Sequence, residues 1–333
     1  MIRRRSLVAL IAAAASVVVL AGCGDDDGGS AASQPVSLIL DWYPNVDHAG
    51  VYGAIEQDYF GDEGLSVTPS VPSDPAASLK QVGLDRADFA ISYEQEVLLA
   101  RSEGVPVVAV AAIVPHPLNT VLFRKDRGIT TAKDLEGKTV GVAGVPSDRP
   151  LLDSVVRSAG GDPSKVTVRT IGYTLSPALA AGKVDAVIGA YWNVEQIELE
   201  RQGVDVGALR LEDNGVPDYD ELVVVTSDAT LRDRPEMVRA FLRGLRSGQD
   251  WAATDQSGAV DALLAANGDL DKETLAAQLA VTADSLSPSD EPTLNVDPAE
   301  WTGFAAWMRE NGLLNKPVDV GAAVTAEFLP DGG

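Results

Sequence analysis

The chain has 333 residues, enough for about two domains of ordinary size. Its 49 Asp and Glu against 26 Lys and Arg leave a formal net charge of −23, so the basic surface that a nucleic-acid partner requires is missing and none is expected. A hydrophobic fraction of 45% suffices for packed cores, whereas one cysteine and two histidines exclude an intrachain disulfide and offer little to a transition metal; neither metal nor cofactor is expected.

Arg3, Arg4 and Arg5 precede an apolar run, Leu7 to Ala21, that only Ser16 interrupts. It is shorter than the ~18 apolar residues of a spanning helix and is closed by small residues, as in an export signal. The ending Leu20-Ala21-Gly22-Cys23 resembles a bacterial lipobox. That likeness implies a signal peptide over 1–22 and a diacylated Cys23 that anchors the protein outside the cell membrane, two acyl chains being enough for durable attachment. A cleaved signal with an incidental cysteine is the plainer alternative. Residues 23–35, with DDDGGSAASQ from Asp25 to Gln34, read as a flexible tether.

From Val36 short apolar runs alternate with helical patterns, which predicts an α/β fold. Val36–Trp42 is a predicted strand. Asp47–Phe60 is a predicted helix with Val51, Ile55 and Tyr59 on one face. Strands are predicted over Leu65–Val71, Asp88–Ser92 and Val105–Val114, with helices over Ala76–Leu84 and Glu94–Glu103 between them. A second set follows: strands at Thr120–Arg124, Thr139–Ala143, Val166–Ile171, Val184–Ile188 and Glu221–Thr226, and a helix over Asp148–Ala159 with Ser147 as its N-cap. From Pro235 the chain reads as mainly helical, with Met237, Val238, Phe241, Leu242 and Leu245 on one helix face.

Leu40-Asp41-Trp42-Tyr43-Pro44-Asn45, with His48, Gly50, Tyr52, Asp58-Tyr59-Phe60 and Glu63-Gly64-Leu65, resembles the opening of thiamine-precursor-like solute-binding proteins of ABC importers. The likeness continues through Asp88–Tyr93, Lys138–Val142 and Gly182–Ala186, of which the Asp-Phe-Ala and Gly-Lys-Val-Asp-Ala elements occur across many binding proteins, and through the more specific Gly189–Glu195. It covers nearly all of residues 36 to 250. The resemblance implies a type II periplasmic-binding-protein fold, two α/β lobes joined by a hinge with a ligand cleft between them. Lobe 1 would combine 36–118 with 223–333, and lobe 2 would be 119–222. The implied function is extracytoplasmic capture of an aminopyrimidine thiamine precursor and its delivery to an ABC permease with its ATPase, by a monomer without catalysis.

An aminopyrimidine has two flat faces, a donor amine and acceptor ring nitrogens. Aromatic side chains can sandwich the faces, at roughly 1–3 kcal/mol per stack, while a carboxylate or carboxamide fixes the edge. Trp42 closes a predicted strand and Tyr93 and Trp192 follow others, where open α/β sheets place ligands, and Asp41, Asn45 and Glu195 lie close by in sequence. By resemblance Trp42 stacks and Glu195 hydrogen-bonds from the opposite lobe, with Asn45, His48, Tyr93, Tyr191 and Asn193 as further contacts. Plain structural readings stand beside these. Trp42 could end a buried strand as core, Trp192 and Glu195 could open a helix, and His48 could be a helix-start residue satisfied by backbone. Tyr219 and Glu221 fall in the returning hinge, where they either reach the cleft or do not.

Other chemistries have less to stand on. No Gly-x-x-x-x-Gly-Lys-Ser/Thr or Gly-x-Ser-x-Gly occurs. The loop Gly144–Asp148 could cradle an anion, but the Asp148 carboxylate competes for the same N–H donors. A fungal branch of the family makes the pyrimidine from a histidine of its own chain; Glu96 stands at the resembling position, and Pro217–Glu221 replaces the cysteine-rich stretch. Sulfonate, nitrate or taurine would need Arg, Lys or clustered N–H donors. A riboflavin-like heterocycle fits the aromatic logic as well, and a surface lipoprotein that binds only another protein is the remaining class.

Overall fold

The computed structural model describes residues 33–287 and 292–330. The export signal over 1–22, Cys23 and most of the 23–35 tether lie outside the described residues.

Ten strands form two five-stranded sheets among the described residues. The first contains β1 (Gln34–Ile39), β2 (Leu65–Ser70), β3 (Phe89–Ser92), β4 (Val107–Val114) and β10 (Leu222–Ser227), in the order β2-β1-β3-β10-β4. The second contains β5 (Asn119–Arg124), β6 (Thr139–Val142), β7 (Thr167–Thr170), β8 (Ala186–Tyr191) and β9 (Val206–Arg210), in the order β7-β6-β8-β5-β9. The two orders are the same pattern. In each, a parallel set is met by one antiparallel strand that arrives from the other sheet, β10 between β3 and β4 and β5 between β8 and β9. Two crossovers therefore join the lobes, one before Asn119 and one before Leu222.

This topology brings the C-terminal ends of β1, β3, β6 and β8 and the starts of β5 and β10 to one seam. β4 and β10 are buried at every residue, as continuous apolar runs such as Val-Val-Ala-Val-Ala-Ala-Ile-Val require. The register slips beside the seam in each sheet, between Leu222 and Val223 in β10, which slips again between Val224 and Val225, and between Thr120 and Val121 in β5. In the last case Gly189 is the extra residue of β8, at φ +91, a conformation that glycine alone adopts without strain.

The helices cover both sheets. Pro235–Thr254 opens on Pro235 and buries Met237, Val238, Phe241, Leu242 and Leu245. Phe241 stacks on Phe89 at 4.1 Å and on Phe60 at 5.2 Å, pinning this helix to the first sheet. Lys272–Leu286 belongs to the same C-terminal set yet reaches the other lobe: Gln278 donates to the Val194 carbonyl at 3.0 Å. No helix among the described residues is long and apolar enough to cross a membrane.

Two local expectations are corrected. The predicted helix over Asp47–Phe60 is broken into a short 3-10 turn, Ala49–Glu56 and Tyr59–Asp62, because Asp58 turns left-handed at φ 58. Val51 is buried as expected and Tyr59 half-buried, but Ile55 is exposed; Gly50, Gly53 and Ala54 complete the buried face. Ser147 makes no side-chain cap for Asp148–Ser158 and is itself helical in conformation.

Candidate functional site

At the seam, both lobes close on a cavity of about 20 Å³ lined by Trp42 and Tyr93 from the first lobe, Asn119, Asp148, Gly189 and Tyr191 from the second, and Glu221 from the returning crossover. That is room for about one water molecule. A planar heterocycle can enter only if the lobes part.

Asp41 organises the first wall. It is buried, and its two oxygens are divided between Tyr93 Oη at 3.0 Å and His48 Nε2 at 2.8 Å. His48 Nδ1 accepts the Asn45 backbone N–H at 3.2 Å, which leaves Nε2 as the protonated nitrogen and makes it the donor to Asp41. Asn45 in turn caps the turn through Asp47 N–H at 2.9 Å. Asp41, Asn45 and His48 thus form one rigid frame under Trp42. Trp42 is half-buried and meets the Tyr173 ring from the second lobe at 4.5 Å, edge to face.

Glu221 organises the hinge. Its Oε2 accepts from the Leu118 and Asn119 N–H groups at 2.8 and 2.9 Å and from Tyr219 Oη at 2.9 Å, and its Oε1 accepts from Tyr191 Oη at 3.1 Å. One carboxylate thereby ties both crossovers and the end of β8. Tyr219 does not line the small cavity, and its ring stacks on Phe304 at 5.0 Å. On the opposite wall Asp148 accepts from Gly144 and Val145 N–H at 2.6 and 3.0 Å, so the donors that an anion would need are taken by the chain's own carboxylate. Glu96 accepts the Ser147 N–H at 2.8 Å, across the lobes.

Four of these acids are displaced from the ordinary carboxyl range. Burial pushes Glu96, Glu195 and Glu221 up to about 7 against the hydrogen bonds each accepts. Burial likewise raises Asp148 to about 6. No Lys or Arg lines the small cavity.

A second cavity of about 670 Å³ adjoins the first at Trp42 and runs outward between Tyr43–Asn45, Tyr173–Pro177, the helix Glu195–Arg201 and residues 269–278. This volume lies in the range of small-molecule sites, and its walls at Trp42–Asn45, Tyr173 and Val194–Glu195 follow the C-terminal ends of β1, β7 and β8. Asn45 and Glu195 line it, and Glu195 also accepts the Tyr191 N–H at 2.8 Å.

The candidates from sequence therefore divide. Trp42, Tyr93 and Tyr191 line the small cavity, while Asn45 and Glu195 line the larger one. Asp41 and His48 stand behind the first wall without lining either. Trp192 lines neither cavity: its indole N–H points to the Pro117 carbonyl at 3.4 Å and the Arg210 guanidinium lies over its ring at 4.3 Å. Asn193 is fully buried and joins the lobes, donating to Asp47 at 2.7 Å and Thr282 at 2.9 Å. Tyr173 escaped the sequence reading although the same signal was present, an aromatic just beyond the predicted strand Val166–Ile171. Asn119, whose Oδ1 holds Gly189 N–H at 3.0 Å, gave no signal, because an Asn opening a strand is commonplace.

A protein-family profile described as NMT1/THI5 like matches residues 45–259. The formylaminopyrimidine-binding protein of Halalkalibacterium halodurans is 34% identical over 86% of this chain and 88% of that protein. A putative thiamine biosynthesis protein of Haemophilus influenzae is 32% identical over 86% and 90%. The 4-amino-5-hydroxymethyl-2-methylpyrimidine phosphate synthase of Legionella pneumophila is 25% identical over 89% and 92%. Among solved structures, the alkanesulfonate-binding protein SsuA from Xanthomonas axonopodis pv. citri superposes with a TM-score of 0.70 at 19% identity, over 89% of this chain and 99% of that one, a likeness of fold. The profile spans more than half of the chain and the Halalkalibacterium protein matches most of it, so the protein belongs to the NMT1/THI5-like family, in the type II periplasmic-binding-protein fold.

Proposed function

We propose that the protein is the extracytoplasmic solute-binding component of an ABC importer, anchored through Cys23, and that it encloses an aminopyrimidine between its lobes for delivery to the permease and its ATPase. The observation that carries this reading is the lining of the small cavity at the seam: aromatic rings and buried acids, without Lys or Arg. Such a surface suits a flat, neutral or cationic ligand and opposes a sulfonate or nitrate. The Halalkalibacterium relative's name points the same way. Trp42 and Tyr93 would contact one side of the ligand, and Tyr191 and Asn119 the other, with Asp148 and Glu221 at its edges. Closure is favoured only when one ligand makes contacts to both lobes at once.

Some relatives are synthases. Binding without catalysis is the better reading here, because Glu96 occupies the position that resembles the histidine of the enzyme branch and spends its carboxylate on Ser147 N–H.

Thermal unfolding of the purified protein against hydroxymethyl- and formylaminomethyl-aminopyrimidines, thiamine, riboflavin, taurine and an alkanesulfonate tests the proposal. At 100 times its Kd a ligand adds about 2.7 kcal/mol. Stabilisation by the pyrimidines alone is expected; stabilisation by the sulfonate, or by none but riboflavin, overturns the ligand assignment.

A further inference from the structure

We propose that Gln95 reads the amine edge of the ligand, its carboxamide forming two parallel hydrogen bonds to an exocyclic amine and the adjacent ring nitrogen. The inference rests on the aminopyrimidine reading and deepens it. Gln95 is the second residue of the helix Glu94–Ser102, lines the small cavity and is 2% exposed. Its Oε1 is buried and has no hydrogen-bond partner.

That distinguishes it from the other side chains lining the small cavity, none of which has a buried polar atom without a partner. Asp41 is shared by Tyr93 and His48, and Asn119 Oδ1 by Gly189 N–H. Asp148 holds the Gly144–Val145 backbone, and Glu221 holds both crossovers. Buried amides as a rule find partners, and an unmade hydrogen bond there is unfavourable. A primary carboxamide carries an acceptor and a donor side by side in one plane. An aminopyrimidine presents the complement, an N–H donor beside a ring-nitrogen acceptor, the arrangement through which Gln also pairs with adenine. A sulfonate offers acceptors only and would leave Oε1 against a negative oxygen.

The same geometry links recognition to closure. With the lobes apart, water can reach the amide. Closing without ligand strips that water and leaves Oε1 unpaired, whereas closing over an amine edge satisfies it. Gln95 therefore makes closure conditional on the group it recognises.

The test titrates wild type and Gln95→Met by calorimetry with 4-amino-5-hydroxymethyl-2-methylpyrimidine and with the same compound lacking its amino group. Wild type should prefer the amino compound by tenfold or more, since a site that hydrogen-bonds an N–H rejects the analogue without it. Gln95→Met should lose that preference, binding the amino compound at least tenfold more weakly and the analogue within about threefold of wild type. The unliganded variant should melt at or above the wild-type temperature, because an unpaired buried amide has gone; a marked fall would assign Gln95 a structural role instead. If the preference survives in Gln95→Met, the assignment of Gln95 is overturned while the aminopyrimidine reading stands. If wild type does not bind the amino compound, both are overturned. Should Gln95→Met not fold, Gln95→Leu is measured against the same criteria.

Discussion

Asp41 illustrates how a residue chosen as a ligand contact can matter through what it holds. It accepts from Tyr93 and from His48, and both donors are anchored to different parts of the first lobe. Asp41→Ala would leave two donors without an acceptor, each at about 1–3 kcal/mol. We expect the variant to lose roughly 2–5 kcal/mol of unfolding free energy by urea titration. Tyr93→Phe should cost about 1 kcal/mol in wild type but little in the Asp41→Ala background, because the bond it removes is already gone. Additive losses would mean that the two side chains do not depend on each other. At this scale the sequence was a partial guide. The opening Asp-Trp-x-Pro-Asn-x-x-His was legible as a unit, and it does form one frame. Trp192 and Asn193 carried equal weight in the reading but spend their polar atoms on Pro117, Asp47 and Thr282. Residue type and strand-end position do not say which way a side chain turns once a crossover passes beside it.

Among the elements, the strands were the most readable part, since β4 and β10 are apolar at nearly every position and need no period to be seen. β9 and the short helix Leu175–Ala180 were not read, the first because Val-Gly-Ala-Leu-Arg is short and mixed, the second because Pro177 sits inside it. The face of the helix Ala49–Glu56 departs from expectation at Ile55 for a different reason: beside Val51 its buried face is made largely by small residues. Gly50, Gly53 and Ala54 let it approach Pro235–Thr254 so closely that a Cβ on Gly248 would stand 2.1 Å from the Gly50 carbonyl oxygen. Two glycine substitutions separate propensity from packing. Gly303 in the helix Pro298–Glu310 has open space around it, so Gly303→Ala should gain up to about 1 kcal/mol from helix propensity alone. Gly248→Ala gains the same propensity but forces the two backbones apart, and should lose about 1–3 kcal/mol net. Equal effects at both sites, measured by urea unfolding, would remove close helix approach as the reason for glycine at 248.

Across the whole molecule, the lobes are joined by buried polar contacts more than by surface ion pairs. Glu96 to Ser147, Asn193 to Asp47 and Thr282, and Glu221 to both crossovers all lie in the interior. Arg201 to Glu273 at 3.0 Å is exposed and adds little. The acids at this interface set a pH dependence whose sign can be worked out. Glu96, Glu195 and Glu221 titrate at about 7 in the folded chain and Asp148 at about 6, against roughly 4 when unfolded. The folded state therefore holds protons that the unfolded state has released, so stability is fully present below about pH 4 for these groups and is lost as pH rises through 6 and 7. Asp134, held down to about 2 by the Thr130 and Thr131 N–H and hydroxyl groups, acts in the opposite sense but only at the acid end. Unfolding free energy should accordingly decline between pH 5 and 7.5, with each group contributing up to about 1.4 kcal/mol per pH unit while it is differentially protonated. The general repulsion of a −23 chain has the same sign, so a slope alone does not assign the cause. Glu221→Gln does: it changes net charge by one but removes a whole titrating group from the interior, and its urea-derived stability should fall less steeply with pH than wild type. A parallel curve would remove Glu221 as a source of the dependence.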